Sequence, residues 1–184
     1  MKKIDKMFLV LIISLLMSAP AIATQYTEGF EYHTPDSNTF TSGIFQHNIV
    51  PMPPVDYTSW DISTFGSPPS GNALDLWPAI DEVTFDLNQG EYIDYASIQL
   101  SDYSNGTTFE VTGSLGTYTL TIPFNGGSWE FADTTGQNIG NITMVRLMSY
   151  EGMFDNLTVN VLPEPSTVLL LSMGSLAVLR KRRV

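Results

Sequence analysis

The alternation of apolar and polar residues at positions 117–122 constrains the fold of this chain more than any other feature. Three apolar residues alternate there with three threonines, so the two kinds of side chain lie on opposite sides of one strand. The same period of two recurs in five more short segments between residues 83 and 161, and helix signals are almost absent from residues 24–162. The pattern predicts an all-β body whose strands are half buried.

Turn-forming residues separate these segments. Many short antiparallel strands at this spacing favour a two-layer β-sandwich, most simply a jelly roll, with a closed barrel as the alternative. Residues 142–148 are apolar on both faces and predict a central strand, whereas the proline-rich residues 34–71 predict a long excursion with one or two edge strands. The inward positions expected on the other strands include Val83, Phe85, Leu87, Ala96, Ile98, Leu100, Phe109, Val111, Trp129, Phe131, Leu157, Val159 and Val161.

The charge of residues 24–162 restricts the class of partner. This segment holds seventeen carboxylates and a single basic residue, Arg146, which gives it a net charge of −16. Such a surface repels phosphate backbones and anionic lipid headgroups, so nucleic acid is not an expected partner. The chain has no cysteine, which excludes disulfides and thiolate chemistry. Divalent cations and neutral polymers remain compatible with it.

The N terminus has the composition of a secretory signal peptide. Three lysines precede an apolar core at residues 7–17, and Ala21 and Ala23 supply the small residues that signal peptidase accepts. The core is too short for a stable membrane anchor, so cleavage after Ala23 is expected.

The C terminus combines a small motif, a short apolar segment and a basic cluster. Pro163 and Pro165 flank Glu164 and hold the backbone extended, as a protease cleft requires. Residues 166–179 carry no charge, and as a helix they would span about 21 Å, short of the ~30 Å hydrocarbon core of a bilayer. The basic residues that follow would keep this end cytoplasmic and act as a membrane stop. They are Arg180, Lys181, Arg182 and Arg183.

This combination resembles the PEP-CTERM sorting signal of Gram-negative bacteria. The resemblance implies export, transient anchoring in the inner membrane through the C-terminal helix, and processing by a membrane protease of the exosortase type, leaving the protein at the cell surface or outside the cell. An ordinary anchor that is never cut is the alternative. Both interpretations place the body outside the inner membrane and divide the chain into a signal peptide (1–23), a sandwich domain (24–162) and a sorting signal (163–184).

Acidic residues near both ends of the body predict a metal site. Asp155 shares its parity with the apolar residues of the last strand, and a carboxylate that points into a core needs a partner. The pattern resembles carbohydrate-binding jelly rolls, in which the first and last strands are adjacent and acidic groups from both hold a structural calcium. Glu28, Glu31 and Asp155 are the candidate ligands here. The alternative is that Asp155 only accepts hydrogen bonds from backbone amides of the preceding turn.

Exposed aromatic residues are the candidates for sugar binding, because sugar rings stack on flat aromatic faces. Trp60 and Trp77 are available, but Tyr103 and Tyr150 lie beside turns and are the preferred candidates. Nothing in the sequence favours catalysis. We therefore expect a non-catalytic surface or matrix protein that binds extracellular polysaccharide or neighbouring surface proteins, with a secreted polysaccharide hydrolase or a ligand-free coat protein as alternatives.

Overall fold

A computed structural model describes residues 22–30, 38–53, 59–64, 67–104 and 106–164. The predicted signal peptide up to Ala21, the residues Glu31 and Pro165, the segment 166–179 and the basic residues 180–183 lie outside this part. The described part contains twelve β-strands. They are β1 (Thr24–Glu28), β2 (Thr39–Ser42), β3 (Phe45–Pro51), β4 (Trp60–Ser63), β5 (Ala73–Leu76), β6 (Ala79–Phe85), β7 (Glu91–Asp102), β8 (Thr107–Gly113), β9 (Gly116–Ile122), β10 (Glu130–Asp133), β11 (Ile142–Ser149) and β12 (Gly152–Pro163).

The strands form an antiparallel sheet that curls into two layers, which confirms the predicted all-β sandwich. The first layer has the order β2-β3-β6-β11-β8-β9. In the second layer β7 lies between β10 and β12. The other edge of β12 pairs with β5 and with β1, and β4 pairs with β5. The layers meet where Ile142 of β11 pairs with Ile93 of β7.

Two topological predictions are confirmed. β11 covers residues 142–149 and runs centrally between β6 and β8. The first and last strands are adjacent, because β1 pairs with β12 over five residues from Thr24↔Val161 to Glu28↔Leu157. The residues 34–71 contain more regular structure than expected, since β3 pairs with β2 on one side and β6 on the other and is therefore not an edge strand.

The core lies between the layers and consists of the inward residues of nearly every strand. Phe30, Phe109 and Phe154 are among its largest fully buried side chains, and burying a side chain of this size contributes about 1.5–3 kcal/mol. The prediction that Phe131 faces the core is wrong, because 62% of its surface is exposed while the neighbouring Ala132 is only 3% exposed. On this short edge strand the small residue points inward and the large one outward.

Candidate functional site

A row of cross-strand partners crosses four strands on the outer side of the second layer, where two aspartates are exposed or half buried and the other two members, Met153 and Ser101, are buried. Asp61 of β4 pairs with Asp75 of β5, Asp75 pairs with Met153 of β12, and Met153 pairs with Ser101 of β7. The alternate residues face the core: Leu74, Leu76, Leu100 and Phe154 are fully buried, and Trp60 and Ile62 of β4 are partly buried against it. Because side chains alternate along a strand, the whole row points away from the core.

Three aromatic side chains accompany this row on the same surface. Trp77 directly follows β5, and its backbone exchanges two hydrogen bonds with Ser59, of 2.8 and 3.0 Å, which extend the β4–β5 ladder. Trp77 therefore has the parity of Asp75, and 60% of its surface is exposed. Phe131 of β10 pairs with Gln99 of β7. We call the set Asp61, Asp75, Trp77, Gln99, Tyr103 and Phe131 the aromatic face.

Tyr103, one of the two sugar-binding candidates from the sequence, belongs to the aromatic face. It is two residues beyond Ser101, half buried, and its backbone amide donates to the Glu151 carbonyl at 2.9 Å. Its ring packs directly against Gly127, where a Cβ would collide with the ring atoms, and Gly127 has a φ of +80° that also favours glycine. This contact holds the ring in a fixed orientation. Tyr150, the other candidate, lies 36% exposed in the turn between β11 and β12.

Carboxylates give this surface a local negative field. Burial, followed by repulsion from Asp61 and then from Glu151, raises the pKa of Asp75 from 3.8 to about 6. Burial first and the charge of Asp75 second also raise the pKa of Tyr103. The phenol therefore remains a neutral hydrogen-bond donor at physiological pH.

Amide and hydroxyl groups complete the polar part of the aromatic face. Gln99 Oε1 accepts a hydrogen bond of 2.7 Å from Asn156 Nδ2, which fixes the Gln99 amide between Phe131 and β12. Aromatic faces interspersed with fixed hydrogen-bonding groups suit a flat polyhydroxylated ligand.

Two of the three predicted metal ligands, Glu28 and Asp155, lie where β1 and β12 meet. Asp155 is fully buried, and its carboxylate accepts hydrogen bonds from Ser70 N (2.7 Å), Ser70 Oγ (2.6 Å) and Asn156 N (2.7 Å). Ser70 Oγ is also 3.1 Å from the Gly29 carbonyl, so this one hydroxyl links the end of β1 to β12. Glu28 is 3% exposed and accepts from the Phe30 amide at 2.6 Å. Backbone amides therefore do donate to Asp155, but they belong to Ser70 and Asn156 and not to the turn before β12.

Calcium at this position stays a prediction. Among the residues that the structure describes, no group of three or more His, Asp or Glu side chains is close enough to hold a metal ion. Glu31, the third predicted ligand, is outside those residues. Two carboxylates of the predicted set thus lie at one junction, with three hydrogen bonds already formed to Asp155.

A buried histidine–aspartate pair was not predicted. His47 Nδ1 and Asp81 Oδ2 are 2.6 Å apart, and both side chains are fully buried. The Phe40 ring stacks on the His47 ring with centroids 4.2 Å apart. The sequence contained a signal for this pair, because His47 alternates with Phe45 and Ile49, and Asp81 shares its parity with Val83.

Comparison of the chain with known protein families gives a match at the C terminus. Residues 161–183 match the PEP-CTERM protein-sorting motif. The match includes the Pro163-Glu164-Pro165 motif and the basic cluster, and it indicates an exported protein with a C-terminal sorting signal. In the described part of the PEP-CTERM segment, β12 continues to Pro163 and the Glu164 amide donates to the Gly90 carbonyl at 2.6 Å. No helix within the described residues is both long and apolar enough to cross a membrane.

Solved structures with a similar arrangement are carbohydrate-binding modules. A family 29 module complexed with mannohexaose is 8% identical, with a TM-score of 0.49, over 76% of this chain and 92% of that one. Another family 29 module, from Piromyces equi, is 8% identical with a TM-score of 0.48 over 77% and 92%. A family 11 module of a Clostridium thermocellum cellulase is 11% identical with a TM-score of 0.43 over 77% and 95%. No curated protein sequence matches the chain.

Proposed function

We propose that this exported protein binds an extracellular polysaccharide on the aromatic face. The observation that carries the proposal is the exposure of Trp77 (60%) and Phe131 (62%) on the outer surface of one sheet, with fixed polar groups between them. Large exposed aromatic side chains on a rigid sheet are costly to leave in water and are typical of binding surfaces. Here they accompany Asp75 and Gln99, which are partly exposed and can bond to hydroxyl groups.

The charge of the body favours a neutral or cationic polymer over an anionic one. Asp61 and Asp75 face each other directly, and Glu151 adds a third negative charge to the same region. A uronate or sulfate group placed there would lie next to these negative charges. Like charges in contact at a binding interface cost on the order of several kcal/mol. Neutral sugars can instead donate hydroxyl protons to the carboxylates.

Affinity electrophoresis of the full chain in a mild non-ionic detergent tests this proposal. Gels would contain the producing cell's own exopolysaccharide, a neutral glucan, a neutral mannan or no polymer. We expect retardation in at least one polymer gel relative to a non-binding protein of similar charge. Equal relative mobility in all gels would contradict the proposal and favour a coat protein without a glycan ligand.

One observation favours polysaccharide hydrolysis as a second candidate function. Directly opposed residues in an antiparallel pair have Cβ atoms about 4.5–5.5 Å apart, and the pair Asp61–Asp75 combines an exposed carboxylate with one whose pKa is raised to about 6. Retaining glycosidases use two carboxyl groups about 5–5.5 Å apart with such a division of roles. Release of reducing ends by the full chain, abolished in Asp61→Asn, would support hydrolysis over binding alone.

Structural calcium at the β1–β12 junction is a separate proposal. Glu28 and Asp155 are both almost fully buried there. Carboxylate oxygens are among the ligands that calcium prefers, and the side chains of both residues belong to this junction. We expect added calcium to raise the melting temperature of the full chain and Glu28→Gln to remove the response, whereas identical melting in calcium and chelator would contradict a calcium site.

A further inference from the structure

Strand β9 forms a long, uncharged edge of the first layer. Within the described residues it pairs only with β8, from Thr107↔Ile122 to Gly113↔Gly116. Thr117, Thr119 and Thr121 are exposed on its outer face. An unpaired edge of this length presents free backbone donors and acceptors, and soluble proteins usually protect such an edge with charged residues or proline within the strand. Residues 116–122 contain neither.

The other edges of the described sheet differ from β9 in charge or length. Strands β1, β4 and β10 contain carboxylates, namely Glu28, Asp61, Glu130 and Asp133. Strand β2 is uncharged but has only four residues, compared with seven in β9. A partner with the same strongly negative charge would be repelled at the acidic edges. A second copy of this chain can therefore approach most easily at β9.

The residues next to β9 reduce its negative field further. Glu110 of β8 is paired with Thr119 and is the nearest carboxylate in the ladder. Arg146 of β11 lies on the other side of Glu110, with Nη1 at 3.5 Å from its Oε1 and Nη2 at 2.7 Å from Glu82 Oε1. The single basic residue of the body thus partly neutralises Glu110, the carboxylate that is paired with the middle of this edge. If two β9 strands paired, the two Glu110 residues would be three strand spacings apart, about 14 Å, which exceeds the Debye length of about 8 Å.

Apolar side chains at β9 lack complete cover. Tyr118 and Leu120 pack against the core but remain half exposed. Leu115 and Phe124, just before and after the strand, are 69% and 61% exposed. Pairing of two antiparallel β9 strands around Thr119 would place Thr117 opposite Thr121, and Tyr118 opposite Leu120. It would also bring Leu115 of one copy beside Pro123 and Phe124 of the other, so each of these apolar groups would lose contact with water.

We propose that two copies of this protein associate through β9, antiparallel and centred on Thr119, so that the first layers of both form one continuous sheet. The pairing is self-complementary, because threonine meets threonine on one face and tyrosine meets leucine on the other. It satisfies the free backbone groups of both edges at once. It leaves the aromatic face, which is on the outer side of the second layer, available in both copies, and it does not rest on the proposed function.

Single-cysteine variants of the full chain test this dimer directly, since the chain has no cysteine of its own. At the centre of the proposed pairing the two Thr119 Cα atoms would be about 4.5–5.5 Å apart, within the usual disulfide range. We expect Thr119→Cys, under mild oxidation in detergent, to form a disulfide-linked dimer at least tenfold faster than Thr84→Cys. Thr84 is an exposed threonine of β6, so it controls for chance collisions and for association within micelles.

A second variant tests the pairing without a new covalent bond. Thr119→Lys would place two positive charges face to face at the centre of the dimer, whereas Thr84→Lys adds the same charge elsewhere. Light scattering should show dimers for the unmodified chain and for Thr84→Lys. For Thr119→Lys we expect the dissociation constant of the dimer to be at least tenfold higher. Equal cross-linking at both cysteine positions, or a dimer fraction that Thr119→Lys leaves unchanged, would overturn the proposal.

Discussion

Asp61 and Asp75 are direct cross-strand neighbours on the outer surface of the second layer, and their mutual repulsion contributes to the raised pKa of Asp75, which is about 6. Two like charges placed opposite each other in a sheet weaken the pairing of their strands. The strands β4 and β5 tolerate the arrangement because Trp60 and Leu76, the next pair along, face the core. The repulsion has measurable consequences for stability.

Replacing Asp75 by Asn should stabilise the protein at neutral pH. Its pKa is higher in the folded protein than the ordinary 3.8, so the folded state binds more protons between about pH 4 and pH 6, and the free energy of unfolding falls as the pH rises through that range. Above pH 6 the full destabilisation is present. After allowance for solvent screening we expect Asp75→Asn to add about 1 kcal/mol at pH 7.5 and almost nothing at pH 4.

Urea unfolding at both pH values measures this difference, with Asp94→Asn as the control. Asp94 is an exposed residue of β7, so its replacement removes the same charge from a solvated position. The ionisation of Asp75 would not be the cause if Asp75→Asn raised the free energy of unfolding as much at pH 4 as at pH 7.5. The same conclusion would follow if Asp94→Asn raised it as much as Asp75→Asn at pH 7.5.

Ser70→Ala should weaken the junction between β1 and β12. The hydroxyl of Ser70 donates to Asp155 Oδ1 at 2.6 Å and also lies 3.1 Å from the Gly29 carbonyl. Its loss leaves a buried carboxylate with one partner fewer, at a cost of about 1–3 kcal/mol. Chemical denaturation measures the loss, and Ser128→Ala, at an exposed position, should change stability by less than about 0.5 kcal/mol. Equal effects of the two substitutions would contradict the structural role of Ser70.

The His47–Asp81 pair should behave as one unit. Removing a single partner of a buried, hydrogen-bonded pair takes this hydrogen bond away from the other buried polar group. We therefore expect Asp81→Ala to lower the free energy of unfolding by about 3–5 kcal/mol. The double variant His47→Phe with Asp81→Leu replaces both partners by apolar groups and should be more stable than Asp81→Ala alone. A double-mutant cycle by urea unfolding checks this, and strictly additive effects would show that the two side chains act independently.

The period-two pattern was sufficient to predict most of the strands, because it depends on local alternation, whereas the adjacency of the first and last strands was implied only by the resemblance to carbohydrate-binding jelly rolls. It failed where pairing is non-local. Asp61 lies in the proline-rich region, and only the tertiary pairing of β4 with β5 places it opposite Asp75. Parity also could not assign β10, where either Phe131 or Ala132 could have faced inward.

One member of the aromatic face could have been found from the sequence. Leu74 and Leu76 alternate with Asp75 and Trp77, so an inward assignment of the leucines already places Trp77 beside a carboxylate on the outer surface. Trp60, by contrast, packs against Phe40 with ring centroids 5.3 Å apart, and the pairing of β4 with β5 places it on the core side. Which tryptophan is exposed follows from the sheet order.

The most direct test of the central claim compares polysaccharide binding by two variants of the full chain. Trp77→Ala combined with Phe131→Ala removes two exposed rings from the aromatic face, and Phe124→Ala removes a ring of similar exposure (61%) near β9. Affinity electrophoresis over a range of polymer concentrations gives both dissociation constants. We predict that the double variant binds the polysaccharide at least tenfold more weakly than the unmodified chain. Phe124→Ala should bind with nearly the affinity of the unmodified chain. Unchanged affinity in a folded double variant would contradict glycan binding at this face.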